Sequence, residues 1–165
     1  MKPVSRLFAV FVAAAFATLT GFAISVHAEG SPPATKQTKE VEAFVIKAAA
    51  LIDKDGKKAF AEFRKPNSDW FHGATYLFVY DLKSNVLLNP AFPNREGTNT
   101  TGQKDASGKL FHHEMINVAE TKGSGWVDYM FPKPGQTEPS RKWAFVKKVT
   151  VDGVPGLVAS GFYPD

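Results

Sequence analysis

From Thr38 to Ile52 the apolar residues Val41, Phe44, Val45, Ala48, Leu51 and Ile52 recur at spacings of three and four, which predicts an amphipathic helix. Asp53-Lys54-Asp55-Gly56 breaks that stripe with turn chemistry, and Phe60 and Phe63 mark the apolar side of a second, short helix ended by Pro66-Asn67-Ser68. The pattern then changes period. Thr75 to Asp81 is bulky at every position and rich in aromatic and β-branched residues, as a strand covered on both faces should be. Lys83-Ser84-Asn85 reads as a turn and Val86 to Leu88 as the returning arm of a hairpin. Residues 90–107 hold the Pro, Gly and Asn of a long irregular excursion with few backbone partners. Lys109 to Thr121 is helical again, with Phe111, Met115 and Val118 on one side. Strands follow at Trp126 to Phe131, Trp143 to Val151 and Leu157 to Tyr163, separated by a wide Pro/Gly turn and by Asp152-Gly153. Helix, hairpin, helix and three consecutive strands describe an α+β domain on an antiparallel sheet.

The N-terminus stands apart. Lys2 and Arg6 precede the uncharged run from Leu7 to Ala17, and Val26-His27-Ala28 offers small residues where a signal peptidase cuts. The reading is a signal peptide at 1–28, a disordered leader at 29–37 rich in Pro, Ser and Thr, and one domain at 38–165. An uncleaved anchor is the alternative, since the run to Val26 lacks charge, but Thr18, Thr20, Gly21 and Ser25 dilute its second half. Localisation is therefore expected to be periplasmic or secreted, with no stable membrane span once the signal is cut. The chain of 165 residues carries 20 Lys and Arg against 16 Asp and Glu, and two of the cations leave with the signal. The remainder is close to neutral and has no basic run interleaved with aromatics, which argues against nucleic acid. Without cysteine there is no disulfide, thiolate nucleophile or Cys-based metal site.

Chemistry is sparse. His112-His113 lacks the second His that a zinc helix needs, because Asn117 occupies that position, and both read as part of a solvated helix face. Asp53-Lys54-Asp55-Gly56 lacks the remaining ligands of a calcium loop, no Gly-x-Ser-x-Gly elbow occurs, and no spacing pairs two carboxylates for acid/base work. The expectation is a non-enzyme with no catalytic residue, no metal and no cofactor. Aromatic density in the strands is the positive signal: polar-tipped rings mixed with cations line pockets for small polar ligands.

At those strands the sequence resembles a known family. Tyr76-Leu77-Phe78-Val79-Tyr80-Asp81-Leu82, Asn89-Pro90, Gly97, Asp105-Ala106-Ser107-Gly108-Lys109, Gly125-Trp126-Val127-Asp128-Tyr129, Lys142-Trp143-Ala144-Phe145-Val146-Lys147-Lys148 and Gly161-Phe162-Tyr163 are similar, in order and spacing, to the single Cache domain, second subtype, of bacterial extracytoplasmic sensors. The resemblance implies a PAS-like fold: about five antiparallel strands, a long N-terminal helix packed on one face, and a small ligand, often a short carboxylate, cupped on the other. It departs from the family where Asn85 stands for a turn Gly, Asn89 for a His and Trp143 for a Tyr, the last two beside the implied pocket. It departs also in offering, after Tyr163, no second span or output domain.

The ligand-binding residues expected on this basis are Arg141, Trp143, Lys147, Trp126, Tyr129, Tyr80 and Asn89. Arg141 and Lys147 would hold a carboxylate, and the rings would supply walls and hydroxyls. Strand parity already sets Trp126 and Tyr129 on opposite faces and puts Tyr80 with Tyr76 and Phe78. The expected function is binding or sensing of a small organic ligand, a carboxylate favoured, that signals through or is delivered to an unidentified protein partner. The alternative is an accessory interaction protein on the same fold without ligand. The signal reading is checked by intact-mass measurement of protein recovered from the periplasm, which should begin at Glu29. A full-length membrane-bound species would establish the anchor instead.

Overall fold

The computed structural model describes residues 30–164. The expected signal peptide lies outside them. Helix α1, Lys36–Asp55, begins two residues before the apolar stripe predicts, because Thr35 caps it: the Thr38 N–H donates to Thr35 Oγ1 at 3.2 Å and the Thr35 N–H to Thr38 Oγ1 at 2.8 Å. Such a reciprocal cap stabilises a helix start by roughly 1 kcal/mol. A 3-10 turn, Gly56–Ala59, leads into the short helix α2, Phe60–Phe63.

Five strands make one antiparallel sheet in the order β2-β1-β5-β4-β3. They are β1 Phe78–Asp81, β2 Val86–Leu88, β3 Ser124–Pro132, β4 Pro139–Val151 and β5 Val154–Phe162. This is the PAS-like arrangement. The first strand is shorter than the run Thr75 to Asp81 predicts: before Phe78 the backbone turns away from the β5 ladder, leaving an isolated bridge between His72 and Thr75. In the hairpin turn the left-handed residue is Ser84, φ 68°, and not Asn85. Asp81 explains the shift, because its carboxylate accepts from the backbone N–H of Lys83 and Asn85 and from the Asn85 amide.

The sheet divides the core in two. On one face α1 lays Val45, Ala48, Ala49 and Ile52 against Leu77, Val79, Leu88, Phe145 and Val158. Each fully buried Val, Leu or Ile among them contributes about 1.5–3 kcal/mol from its apolar surface. Polar ties fix the helix in register: the Trp126 indole donates to Glu42, the Thr150 N–H to Asp53, and the Lys57 N–H to Asp152. Helix α3, Phe111–Thr121, covers the other face with Phe111, Met115, Ile116 and Ala119 over Tyr80, Val127, Ala144 and Leu157. Among the described residues no helix is long and apolar enough to cross a membrane.

The segment 90–107 is better tied than its composition predicts. Gly97 N–H donates to Val86 O, Val86 N–H to Thr98 O and Thr100 N–H to Ser84 O, so the segment runs along the outer edge of β2 as a partial sixth strand. Its Pro, Gly and Asn content signals turns correctly but says nothing about an unpaired sheet edge waiting beside it.

The close pairing of β4 and β5 carries a testable constraint. A Cβ on Gly161 would stand 1.9 Å from the Trp143 carbonyl oxygen, a backbone atom that cannot rotate away. Gly161→Ala should lower the urea midpoint by the equivalent of roughly 1–3 kcal/mol or more. An unchanged midpoint would show that the strands do not approach so closely.

Candidate functional site

Alternation along β4 decides what faces α3. Lys142, Ala144 and Val146 point to that side, and Trp143, Phe145 and Val149 to the α1 side. Ala144 and Val146 are ordinary core residues. Lys142 is a cation with no exposure at all. Its ammonium donates to the Tyr76 hydroxyl at 2.7 Å and sits 4.1 Å from the centre of that ring, 5.3 Å from Phe78 and Tyr163, and 5.8 Å from Phe131. Among the described residues no carboxylate lies within 4 Å of it. Aromatic faces attract a cation but do not neutralise it.

A second cation comes from the segment after β2. Asn89 is buried and closes this stretch: its side-chain oxygen accepts from the Phe92 N–H, and its own N–H donates to Glu96. Glu96 also pairs with Arg64 at the end of α2, so the segment is strapped to the helical layer. Between those ties the chain presents Phe92 and Arg95 inward. The Arg95 guanidinium lies 5.4 Å over the Phe131 ring, with Nη2 at 3.1 Å from Gln103 Oε1 and 3.3 Å from His112 Nε2. Phe111 stacks on Tyr129 with centroids 4.4 Å apart, and His112 packs edge-on to Tyr80. The whole is a packed aromatic cluster, called the chamber below, with Lys142 in its interior and Arg95 at its half-buried edge. Among the described residues no three His, Cys, Asp or Glu gather to hold a metal.

The sequence profile of the Cache domain family matches residues 35–151. The chain belongs to the Cache family. It is a single Cache domain of the second subtype. It is 29% identical over 90 residues to the methyl-accepting chemotaxis protein McpP of Pseudomonas putida, an alignment covering 54% of this chain and only 16% of that receptor. Among solved structures, the periplasmic sensor domain of a chemotaxis protein matches with a TM-score of 0.61 at 29% identity, over 77% of this chain and 90% of that one. A Cache chemosensory domain described for its carboxylic acid recognition matches with a TM-score of 0.62 at 25% identity, over 79% and 92%.

Within this Cache domain the expected site residues separate into two groups. Tyr80 and Tyr129 are buried in the chamber, and Asn89 shapes the segment that closes it. Arg141, Trp143, Lys147 and Trp126 share the opposite face by strand parity. Arg141 is exposed there, donating to Asp128 through Nε at 3.1 Å and Nη2 at 2.8 Å and lying over the Trp143 ring. Asp128 is shared with Lys109, and these two cations hold its carboxyl below the usual range although desolvation opposes them. Reading His112 with His113 as a solvated face needs correction: His113 is exposed, but His112 is 2% exposed. The signal was available, because 112, 115, 116 and 119 follow helical spacing and the last three are apolar. Lys142 likewise shares parity with Ala144 and Val146, so a two-residue step from the buried pair finds it. Arg95 sits in an aperiodic segment, where no pattern of this kind operates.

Burial dominates the electrostatics of the chamber. It lowers the Lys142 ammonium to about 7. Burial, helped by the Arg95 charge, lowers the His112 imidazole to about 3, so His112 is neutral at physiological pH. It lifts the Tyr80 phenol to about 12 despite the guanidinium nearby, and it raises Tyr76 and Tyr129 as well. Unfolding returns Lys142 to an ordinary value near 10.5. Between those values the unfolded chain binds more protons than the folded one, so stability should rise as pH increases from about 7 to about 10. Chemical denaturation across that range checks this. Lys142→Met should flatten the slope, and an unchanged slope would mean that the ammonium is solvated.

Proposed function

We infer that this Cache domain binds a small organic carboxylate on its α3 face and acts as an extracytoplasmic sensor or carrier, passing occupancy to a protein partner without chemistry on the ligand. The observation that carries this reading is Lys142, a wholly buried cation with the Tyr76 hydroxyl beside it and no carboxylate within 4 Å among the described residues. A buried charge is costly until it is paired, and a ligand carboxylate supplies the missing partner together with acceptors for the ammonium and the phenol. Tyr80, Tyr129, Phe92 and Phe131 form walls suited to a short carbon chain. Likeness to a domain described for carboxylic acid recognition supports the same ligand class, and likeness to a periplasmic sensor domain supports the location.

Arg141 and Lys142 make competing claims to the carboxylate from opposite faces of one strand. Titration calorimetry with acetate, propionate, pyruvate and lactate separates them. Lys142→Met should weaken binding by the worth of a charged hydrogen bond, on the order of 2 kcal/mol or about thirtyfold. Arg141→Ala should leave it within a factor of two, because exposed ion pairs contribute little. The reverse result would move the site to the α1 face. Failure of every carboxylate to bind would favour an interaction module on the same fold.

A further inference from the structure

Lys142 can lose its charge without losing its partner. Its side chain makes one hydrogen bond among the described residues, with the Tyr76 hydroxyl at 2.7 Å. By turning its own proton that hydroxyl either accepts from an ammonium or donates to a neutral amine. Around the rest of the lysine head stand rings, with the centres of Tyr76 at 4.1 Å, Phe78 and Tyr163 at 5.3 Å and Phe131 at 5.8 Å.

The elements packed around Lys142 bring it no anion. Tyr76 precedes β1, Tyr80 lies on β1, Tyr129 on β3, His112 on α3 and Tyr163 beyond β5. Burial keeps all four phenols neutral well into the alkaline range, Tyr80 and Tyr163 being lifted to about 12 and Tyr76 and Tyr129 raised as well. His112, lowered to about 3, is neutral too. The two charges that approach are both positive, Lys133 at 5.6 Å over the Tyr163 ring and Arg95 at 5.4 Å over the Phe131 ring. The neighbouring acids are paired elsewhere, Asp128 with Lys109 and Arg141, and Glu96 with Arg64. Lys142, which burial lowers to about 7, is therefore the group of this cluster whose proton comes and goes near neutral pH.

Resting on the carboxylate reading above, we propose that the site takes up its anion together with a proton, so that the domain reports carboxylate and acidity jointly. In the empty cluster at mildly alkaline pH, Lys142 is an amine that accepts from Tyr76. The carboxylate supplies the missing counter-charge, Lys142 binds one proton from solvent, and the product is a buried ammonium–carboxylate pair. One anion and one proton enter, so the cluster gains no net charge. Because the occupied state holds this proton and the empty one does not, affinity is level below about pH 7 and falls as pH rises above it. In that upper range occupancy follows the product of carboxylate and proton concentrations, which is proportional to the concentration of the undissociated acid.

Titration calorimetry with acetate, propionate, pyruvate and lactate, at pH 6 and pH 8.5 and in two buffers of different ionisation enthalpy, counts the protons. About one proton should be taken up per bound ligand at pH 8.5 and almost none at pH 6, with affinity about thirtyfold weaker at the higher pH. Lys142→Arg, whose side chain does not titrate in this range, should bind without proton uptake and equally well at both pH values. Should that variant fail to fold, the carbon-13 shift of the Lys142 ε-carbon decides in the parent protein. It should titrate near 7 in the empty domain and stay that of an ammonium at pH 8.5 in the saturated one. Equal affinity at both pH values without proton uptake would make the linkage wrong and leave the carboxylate site standing. Uptake that persists in a folded Lys142→Arg variant would place the proton elsewhere and overturn the proposal. If no carboxylate binds even at pH 6, the carboxylate site falls and the linkage with it.

Discussion

Strand β4 is hydrogen-bonded on both edges, to β3 and to β5, and both of its faces are covered, one by α1 and the other by α3. Under that constraint each side chain is assigned to a layer by parity alone, and no residue can change layer without a register slip that would move all of them. Trp143, Phe145 and Val149 go to a dry helical interface. Lys142, one step out of phase, goes to the interior of the opposite layer. A cation would not enter such a place on its own account. It is held there because the ladder around it pairs all thirteen residues of β4 with β3, β5 or both.

The second cation is placed by different means. Arg95 belongs to no strand, and its position is set by ties on either side of it. Glu96 joins the Asn89 N–H to Arg64 of the helical layer, the Gly97 and Thr98 backbone pairs with Val86, and Asn89 caps the turn that carries Phe92. Further along, Asp105 accepts from the N–H groups of Met130, Ser107 and Lys109, which fastens the same excursion to β3. The segment is irregular in conformation yet fixed at both ends and in the middle. Asn89 thus contributes by shaping the chain, its side-chain oxygen being used on the Phe92 N–H.

These two modes of placement explain what the sequence discloses. Helices and strands whose side chains repeat with period 3.6 or 2 are legible: α1, α3 and all five strands follow from the spacing of apolar residues, and the family resemblance supplies the antiparallel, PAS-like class of the sheet but not the order of its strands. Within a strand, parity separates Tyr129 from Trp126 correctly. What parity cannot give is the choice of face for a polar residue flanked by hydrophobes on both sides. Arg141 and Lys147 share the phase of Trp143 and Phe145, and Lys142 shares that of Ala144 and Val146. His112 hides in the same way beside an exposed neighbour of its own type. Arg95 is legible in no periodic pattern, since its place depends on Glu96, Asn89 and Arg64 meeting across the fold.

A buried ammonium without an anion weakens the fold that contains it, and burial lowers that of Lys142 to about 7. The α1 layer offsets that cost. It is the more uniformly apolar of the two, with Val45, Ala48, Ile52, Phe63, Leu77 and Val79 essentially without exposure. One layer therefore carries stability while the other tolerates charge. The division has a thermodynamic consequence for sensing. An anion that neutralises the chamber binds the folded state and not the unfolded one, and at a hundred times its dissociation constant it stabilises by about 2.7 kcal/mol. Glu96 ties the segment that carries Arg95 to Arg64 at the end of α2. One strap of adjacent residues thus joins the two layers, Arg95 against Phe131 and His112 and Glu96 against Arg64.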